Sequence, residues 1–294
     1  MSNAYVDPAS GRALTRDADH LTDGAGVSFP IVNDIPRFCE IENYTASFGQ
    51  QWNLFQRTQI DGEGTPGGTS ARRLFAETGW TAADLDGADV LEVGSGAGRF
   101  SRVLLQHSRA NLYSIDYSNA VEANWHNNAE LGKGRLFLAQ ASIYELPFPD
   151  NRFDKIFCFG VLQHTPDFDA SIAALIRKAR PGGEIVVDFY PIRHALTKLH
   201  AKYLLRPLTK RLNREKLLSL IDRNVDWLMS AHRALTRVRL GALTRFLPIV
   251  DLRNFPSGLA PGDRPSFSSD GQARSMKPLR NASLLGLGSW AETS

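Results

Sequence analysis

The chain is poor in cysteine and lacks any long apolar run. Its two cysteines, Cys39 and Cys158, stand far apart, so they predict neither a disulfide framework nor a CxxC zinc site. No apolar run approaches the roughly 20 residues that span a bilayer, and the first residues carry no basic segment followed by an apolar one. The formal net charge of +3 is too small, taken alone, to argue for a nucleic acid partner. We therefore expect a cytoplasmic protein with no metal site.

The chain has enough apolar residues to form a full hydrophobic core, since 43% of its 294 residues are hydrophobic. From Val90 onward, apolar runs alternate with stretches of helical period. Strands are predicted at 90–93, 111–115, 134–139, 153–159 and 183–189, and helices at 98–107, 119–131 and 168–179. This alternation predicts an α/β fold with a doubly wound, mostly parallel sheet.

Composition divides the chain into four segments. Residues 1–40 are rich in Asp, Gly and Pro, and we expect one or two short strands there, in an appendage outside the core. Residues 41–190 are predicted to form the α/β core. Residues 191–255 read as a basic helical insert or cap, and residues 256–294, rich in Ser, Gly, Pro and Arg, as a disordered tail.

The stretch VLEVGSGAGRF, at 90–100, predicts a strand, a glycine turn and a helix. Gly94, Gly96 and Gly98 let a ligand approach the main chain closely. A dinucleotide would require G-x-G-x-x-G, whereas the pattern here is G-x-G-x-G. Glu92 places a carboxylate where a cationic ligand fits better than a diphosphate. An ordinary strand-to-helix turn explains one glycine well and three poorly.

A second carboxylate, Asp116, ends the next predicted strand, where a ribose-binding acid is expected in such a sheet. It can accept hydrogen bonds from both ribose hydroxyls. The alternative is that Asp116, with Ser118, only caps the following helix.

Together these segments resemble the class I S-adenosylmethionine-dependent methyltransferases, in particular the type 11 or UbiE-like domain. The resemblance covers roughly 44–190 and includes IDYS, AQASIYELPFPDNRFDKIFCFGVLQHTPD and ARPGGEIVVDFY. It implies S-adenosylmethionine as cofactor and methyl transfer as the reaction. The cofactor-binding residues it implies are Glu92, Gly94, Ser95, Gly96, Gly98, Asp116, Tyr117, Ser142, Ile143 and Gly160.

Within that set, Gly94, Ser95 and Gly96 would lie beside the methionine part, and Tyr117 and Ile143 would flank the adenine. Ser142 stands where the family usually has an acid for the adenine amino group, and a serine accepts that bond more weakly.

Other segments resemble accessory parts of such enzymes. The segment around SFGQQW resembles a helix that folds over the cofactor as a lid, with Tyr44, Phe48 and Trp52 as its candidate contacts. The alternative is an aromatic stripe that packs on the flank of the domain. GVSFPIVNDIPRF, at 26–38, resembles half of a zinc-ribbon-like module without its metal cysteines, and would be a degenerate, metal-free remnant.

Methyl transfer from a sulfonium needs alignment more than a base. For a hydroxyl acceptor, His164 is the predicted catalytic base, with a role in holding its loop as the alternative. Asp188 and Tyr190 are further candidates on the acceptor side.

The basic insert predicts an anionic acceptor, either a small molecule or a lipid- or glycan-linked one. Peripheral membrane contact, RNA contact or a solvated helical face are the alternatives. Few aromatics interleave with its charges, so nucleic acid is not favoured.

The family sheet normally continues with a sixth and a seventh strand. LPIVDLRNF, at 247–255, could start only one, so we expect an incomplete C-terminal strand pair. A truncated or frameshifted C-terminus would make the chain a catalytically inactive, cofactor-binding relative that acts as a binding or scaffold protein.

Overall fold

A computed structural model describes residues 4–40, 69–188, 201, 205, 207, 211–212 and 214–247. The chain divides into two compact units, Met1–Tyr190 and Pro191–Ser294. The predicted lid residues Tyr44, Phe48 and Trp52, the acceptor-side Tyr190 and the predicted tail lie outside the described residues.

The first unit begins with a small antiparallel sheet. Its strands are β1 (Thr15–Asp17), β2 (His20–Thr22), β3 (Ser28–Val32) and β4 (Ile35–Pro36), in that order across the sheet. The sequence predicts one or two strands here. Strands β1 and β2 escape prediction because TRD and HLT have no apolar alternation. Pairing holds them extended: β1 pairs with β2, and β2 with β3.

The second sheet of this unit is parallel and carries the predicted α/β pattern. Its strands are β5 (Asp89–Val93), β6 (Asn111–Asp116), β7 (Leu136–Gln140), β8 (Phe153–Phe159) and β9 (Ala179–Asp188), in the order β7-β6-β5-β8-β9. Strand order reverses beside β5, and the ends of β5 and β8 meet there. The predicted doubly wound parallel α/β fold is confirmed.

In the described part of this unit the helices are α1 (Thr69–Thr78), α2 (Arg99–His107), α3 (Val121–Asn128) and α4 (Phe168–Lys178). A 3-10 turn, Leu162–His164, follows β8. Strand β9 begins earlier than predicted, at Ala179, but its register shifts between the Phe153 and Lys155 pairs, so continuous pairing starts at Glu184. Among the described residues, β9 pairs with β8 alone.

The prediction that residues 1–40 stay outside the core is wrong. Leu14, Leu21 and Phe38 are buried in one cluster with β5, β6 and β8 side chains, and Ile35 is buried in the other. A parallel bridge joins Arg37 to Gln140 at the end of β7. Burial of these apolar side chains against the parallel sheet stabilises both sheets, so the N-terminal strands are an integral part of the first unit.

In the second unit, the described helix α5 (Arg214–Arg237) is followed by a 3-10 segment, Gly241–Phe246. The helix buries Leu228 and His232, whereas Leu220 and Trp227 are half exposed. In the part of the chain that the structure describes, no helix is both long enough and apolar enough to cross a bilayer.

Candidate functional site

The glycine turn between β5 and α2 has the backbone that the sequence predicts. Gly94, Gly96 and Gly98 have φ of +81°, +52° and +82°, the left-handed region that favours glycine. A Cβ on Gly94 would lie 2.1 Å from a methyl of Val161, and one on Gly98 would lie 2.2 Å from Asn124 Oδ1. At both positions, therefore, the close approach of a neighbour adds to the backbone requirement.

Asp116 lies at the end of β6 and holds this turn. Its Oδ2 accepts a hydrogen bond from the Gly96 N–H at 2.8 Å, and its Oδ1 accepts bonds from the Ser118 N–H at 2.8 Å and the Ser118 hydroxyl at 2.6 Å. Burial raises the pKa of Asp116, while the bonds from Ser118 and Gly96 act in the opposite direction. The carboxylate is fixed beside the turn, where the sequence predicts a ribose-binding acid.

The alternative for Asp116, that with Ser118 it caps the following helix, is not what the structure shows: Ala120 occupies the N-terminal cap position of α3, and no side chain of the described residues caps the helix. Ser118 Oγ accepts a hydrogen bond from the Ala120 N–H at 3.2 Å, just before α3 begins. The bonds from Gly96 and Ser118 leave Oδ2 with an unused lone pair for a ribose hydroxyl, because each carboxylate oxygen has two. Ribose binding by Asp116 stays a prediction.

Glu92 is 2% exposed and lies beneath the turn. Its carboxylate accepts hydrogen bonds from the Ser101 hydroxyl of α2 and, at 2.9 Å, from the Ser114 hydroxyl of β6. Burial raises the pKa of Glu92 to about 7, against the lowering effect of the two hydroxyls. These contacts tie α2 to the sheet, and contact between Glu92 and the cofactor stays a prediction.

Three asparagines of α3 hold the turn from its other side, and sequence reasoning missed them. Asn127 donates to the Ala97 carbonyl and Asn128 to the Gly98 carbonyl, each at 2.9 Å. Asn124 donates to Ser101 Oγ at 3.0 Å. The available signal was four asparagines, which are weak helix formers, within the helix predicted at 119–131.

The residues predicted around the adenine lie at two adjacent strand ends. Tyr117 follows β6, while Ser142 and Ile143 follow β7, and the Ala141 N–H donates to the Asp116 carbonyl at 3.1 Å. Ser142 Oγ accepts a hydrogen bond from the Tyr144 N–H at 3.2 Å, and Ile143 is buried in the core. The structure thus brings this predicted group together.

On the opposite side of the turn, an ion pair between Arg73 and Asp188 lies at the ends of β8 and β9. The Gly160 N–H and the Arg73 guanidinium of α1 both donate to the Asp188 carboxylate. The guanidinium also lies 5.7 Å from the ring centre of Phe100 and 5.9 Å from that of Phe159, within cation–π range. Arg73 was not predicted from sequence.

His164 is exposed at the end of the 3-10 turn after β8. Its main-chain N–H donates a hydrogen bond to the Val161 carbonyl at 2.8 Å. Val161 itself packs on Gly94, so this segment adjoins the glycine turn. The ring therefore lies on a segment that touches the turn, and its role in catalysis stays a prediction.

Two buried polar groups on these adjoining segments have no hydrogen-bond partner among the described residues. They are the Ser95 hydroxyl in the turn and the side-chain amide of Gln163. Orphaned buried polar groups are costly unless a ligand or water pairs with them. Together with the carboxylate of Asp116, they fit a ligand that carries hydroxyl, amino and carboxyl groups, such as an amino-acid nucleoside.

The charged side chains of the described residues offer no metal site. No cluster of three or more His, Cys, Asp or Glu side chains with the spacing of metal ligands occurs there.

In the comparison with known proteins, residues 91–187 match the family model described as "Methyltransferase domain". The chain is 32% identical, over 131 residues, to the ubiquinone/menaquinone biosynthesis C-methyltransferase UbiE of Psychromonas ingrahamii, covering 42% of this chain and 52% of the relative. It is 28% identical, over 125 residues, to the tRNA U34 carboxymethyltransferase of Nautilia profundicola, covering 39% of this chain and 42% of the relative. The chain thus spans about half or less of the length of these relatives.

Among solved structures, the S-adenosylmethionine dependent methyltransferase of Mesorhizobium loti aligns with a TM-score of 0.34 at 19% identity. The alignment covers 42% of this chain and 53% of that protein.

Proposed function

Because residues 91–187 form a class I methyltransferase domain whose cofactor is S-adenosylmethionine, we propose that this chain methylates a small-molecule acceptor or a lipid- or glycan-linked one. The observation that carries the proposal is the Asp116 carboxylate bonded to Gly96 of the glycine turn. A carboxylate and a close-approach turn at the point where strand order reverses are what an amino-acid nucleoside requires.

The residues of this chain divide the binding between the two ends of the ligand. Asp116 accepts hydrogen bonds from the ribose hydroxyls, and Tyr117 and Ile143 flank the adenine, with Ser142 as acceptor for its amino group. Ser95 and Gln163, both unpaired in the described structure, bind the amino-acid end. Gly160, where a Cβ would meet only Gln163 Nε2 at 4.0 Å, lets the ligand lie against the main chain there.

When bound, S-adenosylmethionine supplies a methyl group on a positively charged sulfur, which an acceptor can attack in line. The chain's main task is then to align the acceptor and exclude water. For a hydroxyl acceptor, His164 removes the proton, and its exposed ring on the segment that touches the turn supports this role.

The acceptor that we propose is anionic. Arg73, beside Phe100 and Phe159, is already paired with Asp188 and Glu77, so the positive charge that supports this proposal lies in the second unit. In the second unit, α5 exposes Trp227 and Leu220 beside Lys216 and Arg223, a combination that also suits the surface of an anionic membrane and hence a lipid-linked acceptor.

A second candidate function is cofactor binding without turnover. It is favoured by the sequence after residue 246, where LPIVDLRNF could start only one of the two further strands that the complete family sheet carries. Such a chain would act as a binding or scaffold protein.

Titration calorimetry with S-adenosylmethionine and S-adenosylhomocysteine, followed by a radiolabelled methyl-transfer screen over anionic small molecules and lipid-linked glycans, separates these functions. Binding with transfer supports the enzyme, and binding without transfer to any acceptor supports the second candidate. Absence of binding to both compounds contradicts both.

A further inference from the structure

A chain of hydrogen bonds runs from the N-terminal sheet to the glycine turn. Arg37 Nη1 donates to Gln140 Oε1 at 3.0 Å, and Gln140 Nε2 donates to the Tyr117 carbonyl at 3.0 Å. Gln140 Nε2 also donates to the Glu40 carbonyl, at 3.4 Å. A guanidinium can only donate and a carbonyl can only accept, so these partners hold the side-chain amide of Gln140 in one orientation.

The next link is the peptide unit between Tyr117 and Ser118. The Tyr117 carbonyl and the Ser118 N–H belong to one planar unit, so a partner that fixes one group also aims the other. That N–H donates to Asp116 Oδ1 at 2.8 Å, while Asp116 Oδ2 accepts the Gly96 N–H. Gln140 thereby sets the direction of a donor that holds the Asp116 carboxylate.

Arg37 is well placed to anchor this chain. It is 2% exposed, donates to the Val32 carbonyl at 3.1 Å and contacts the Glu122 carboxylate. The next residue, Phe38, donates its N–H to the Gln140 carbonyl at 2.8 Å. Gln140 is therefore fixed at its main chain and at its side chain by consecutive residues of the N-terminal segment.

We propose that Gln140, held by Arg37, is a positioning residue for the Asp116 carboxylate, so that the N-terminal sheet is part of the ribose subsite. This inference rests on the proposed function, because it requires the ribose of the cofactor at Asp116. It extends the site to residues 4–40, which lie outside the segment that matches the methyltransferase family.

The discriminating variant is Gln140→Glu. A carboxylate keeps the bond from Arg37, but it has no donor for the Tyr117 carbonyl and repels it. The measurement is the Kd of S-adenosylhomocysteine and of its 2′-deoxyribose analogue by titration calorimetry. We expect the wild type to prefer the hydroxylated compound roughly tenfold, as one charge-assisted hydrogen bond provides, and the variant to lose that preference.

The matched control is Tyr5→Phe. Tyr5 Oη donates to the Leu138 carbonyl at 3.0 Å, so this variant also removes one hydrogen bond between the N-terminal segment and β7, but two residues before Gln140. We expect it to keep the preference for the 2′-hydroxyl. If Gln140→Glu lowers the Tm by more than about 5 °C, Arg37→Lys provides the second test, since it keeps the charge and loses the planar fork, and the same loss is expected.

Failure of this inference is distinguishable from failure of the proposed function. A wild type that binds neither compound contradicts both. A wild type that binds both compounds equally, or a Gln140→Glu variant that keeps the full preference, overturns the positioning role and leaves the function standing. An equal loss in Tyr5→Phe would mean that the N-terminal sheet acts on stability alone, and would also overturn it.

Discussion

The Asp116 carboxylate accepts the N–H of Gly96 at 2.8 Å, so the end of β6 and the turn after β5 are held by one side chain. Whatever alters this carboxylate alters both the predicted ribose acceptor and the shape of the turn.

Asp116→Asn is expected to weaken the binding of S-adenosylhomocysteine roughly 10- to 100-fold, because an amide loses the charge that strengthens bonds from ribose hydroxyls. Titration calorimetry measures the effect. The control is Asp89→Asn at the opposite end of the parallel sheet, where Asp89 contacts Asn111 and Arg152. An equal loss in both variants would contradict a specific role for Asp116.

Gly94→Ala is expected to lower stability by about 3 kcal/mol, since left-handed backbone and overlap with Val161 both oppose it. The fall in Tm should be about 10 °C. Gly134→Ala, also at positive φ but with no atom within 4 Å of the new Cβ, should cost about 1 kcal/mol. Adding Val161→Ala to Gly94→Ala should recover part of the loss. No recovery would mean that the overlap is not the cause.

Glu92→Gln is expected to change how stability depends on pH. The pKa of Glu92 is raised to about 7 in the folded chain, so the folded state binds the proton more tightly than the unfolded one. Stability of the wild type therefore falls as pH rises from the unfolded pKa, near 4.5, to about 7, by an amount on the order of 3 kcal/mol. The variant lacks this fall, so its free energy of unfolding should rise relative to that of the wild type between pH 5 and 8. Urea unfolding at several pH values measures the difference.

Glu184→Gln is the contrast for that experiment. Hydrogen bonds from Lys155 and Trp80 lower the pKa of Glu184 in the folded chain, so its stabilising effect is present above its unfolded pKa and is lost only in acid. The difference in the free energy of unfolding between Glu184→Gln and the wild type should therefore stay constant between pH 5 and 8. If the difference in the free energy of unfolding between Glu92→Gln and the wild type is also constant over this range, the raised pKa of Glu92 is contradicted.

His164→Ala is expected to reduce methyl transfer to a hydroxyl acceptor at least about 100-fold while leaving the Kd of S-adenosylhomocysteine within about twofold, as loss of a general base would. A coupled assay for released S-adenosylhomocysteine measures the rate. His20→Ala, an exposed imidazole paired with Asp19 in the N-terminal sheet, should leave the rate unchanged. Normal turnover by His164→Ala would favour the role in holding the loop.

The sequence alone predicts the parallel sheet, because apolar runs and the glycine turn are local signals. Its resemblance to a known family is what implied the methyltransferase class and the cofactor. The contact between Arg37 and Gln140 has no such signal, since 103 positions separate them and each looks like an ordinary polar residue. For the same reason, the sequence did not predict the burial of the apolar side chains at 14, 21, 35 and 38. Short polar strands gain their apolar contacts only through tertiary packing.

The orphaned amide of Gln163 was missed for a different reason. A glutamine in a loop normally pairs with water, and only the burial of its amide atoms makes the missing partner informative. The three asparagines of α3 likewise gain meaning only once their helix lies against the turn.

The bridge between Arg37 and Gln140 has a practical consequence for anyone preparing this protein. A fragment trimmed to residues 91–187 would uncover the outer side of β7, leaving its main-chain groups open to pairing with other molecules, and such bare strand edges promote aggregation. Cloning should therefore start ahead of Tyr5, so that the purified material keeps its protective flank.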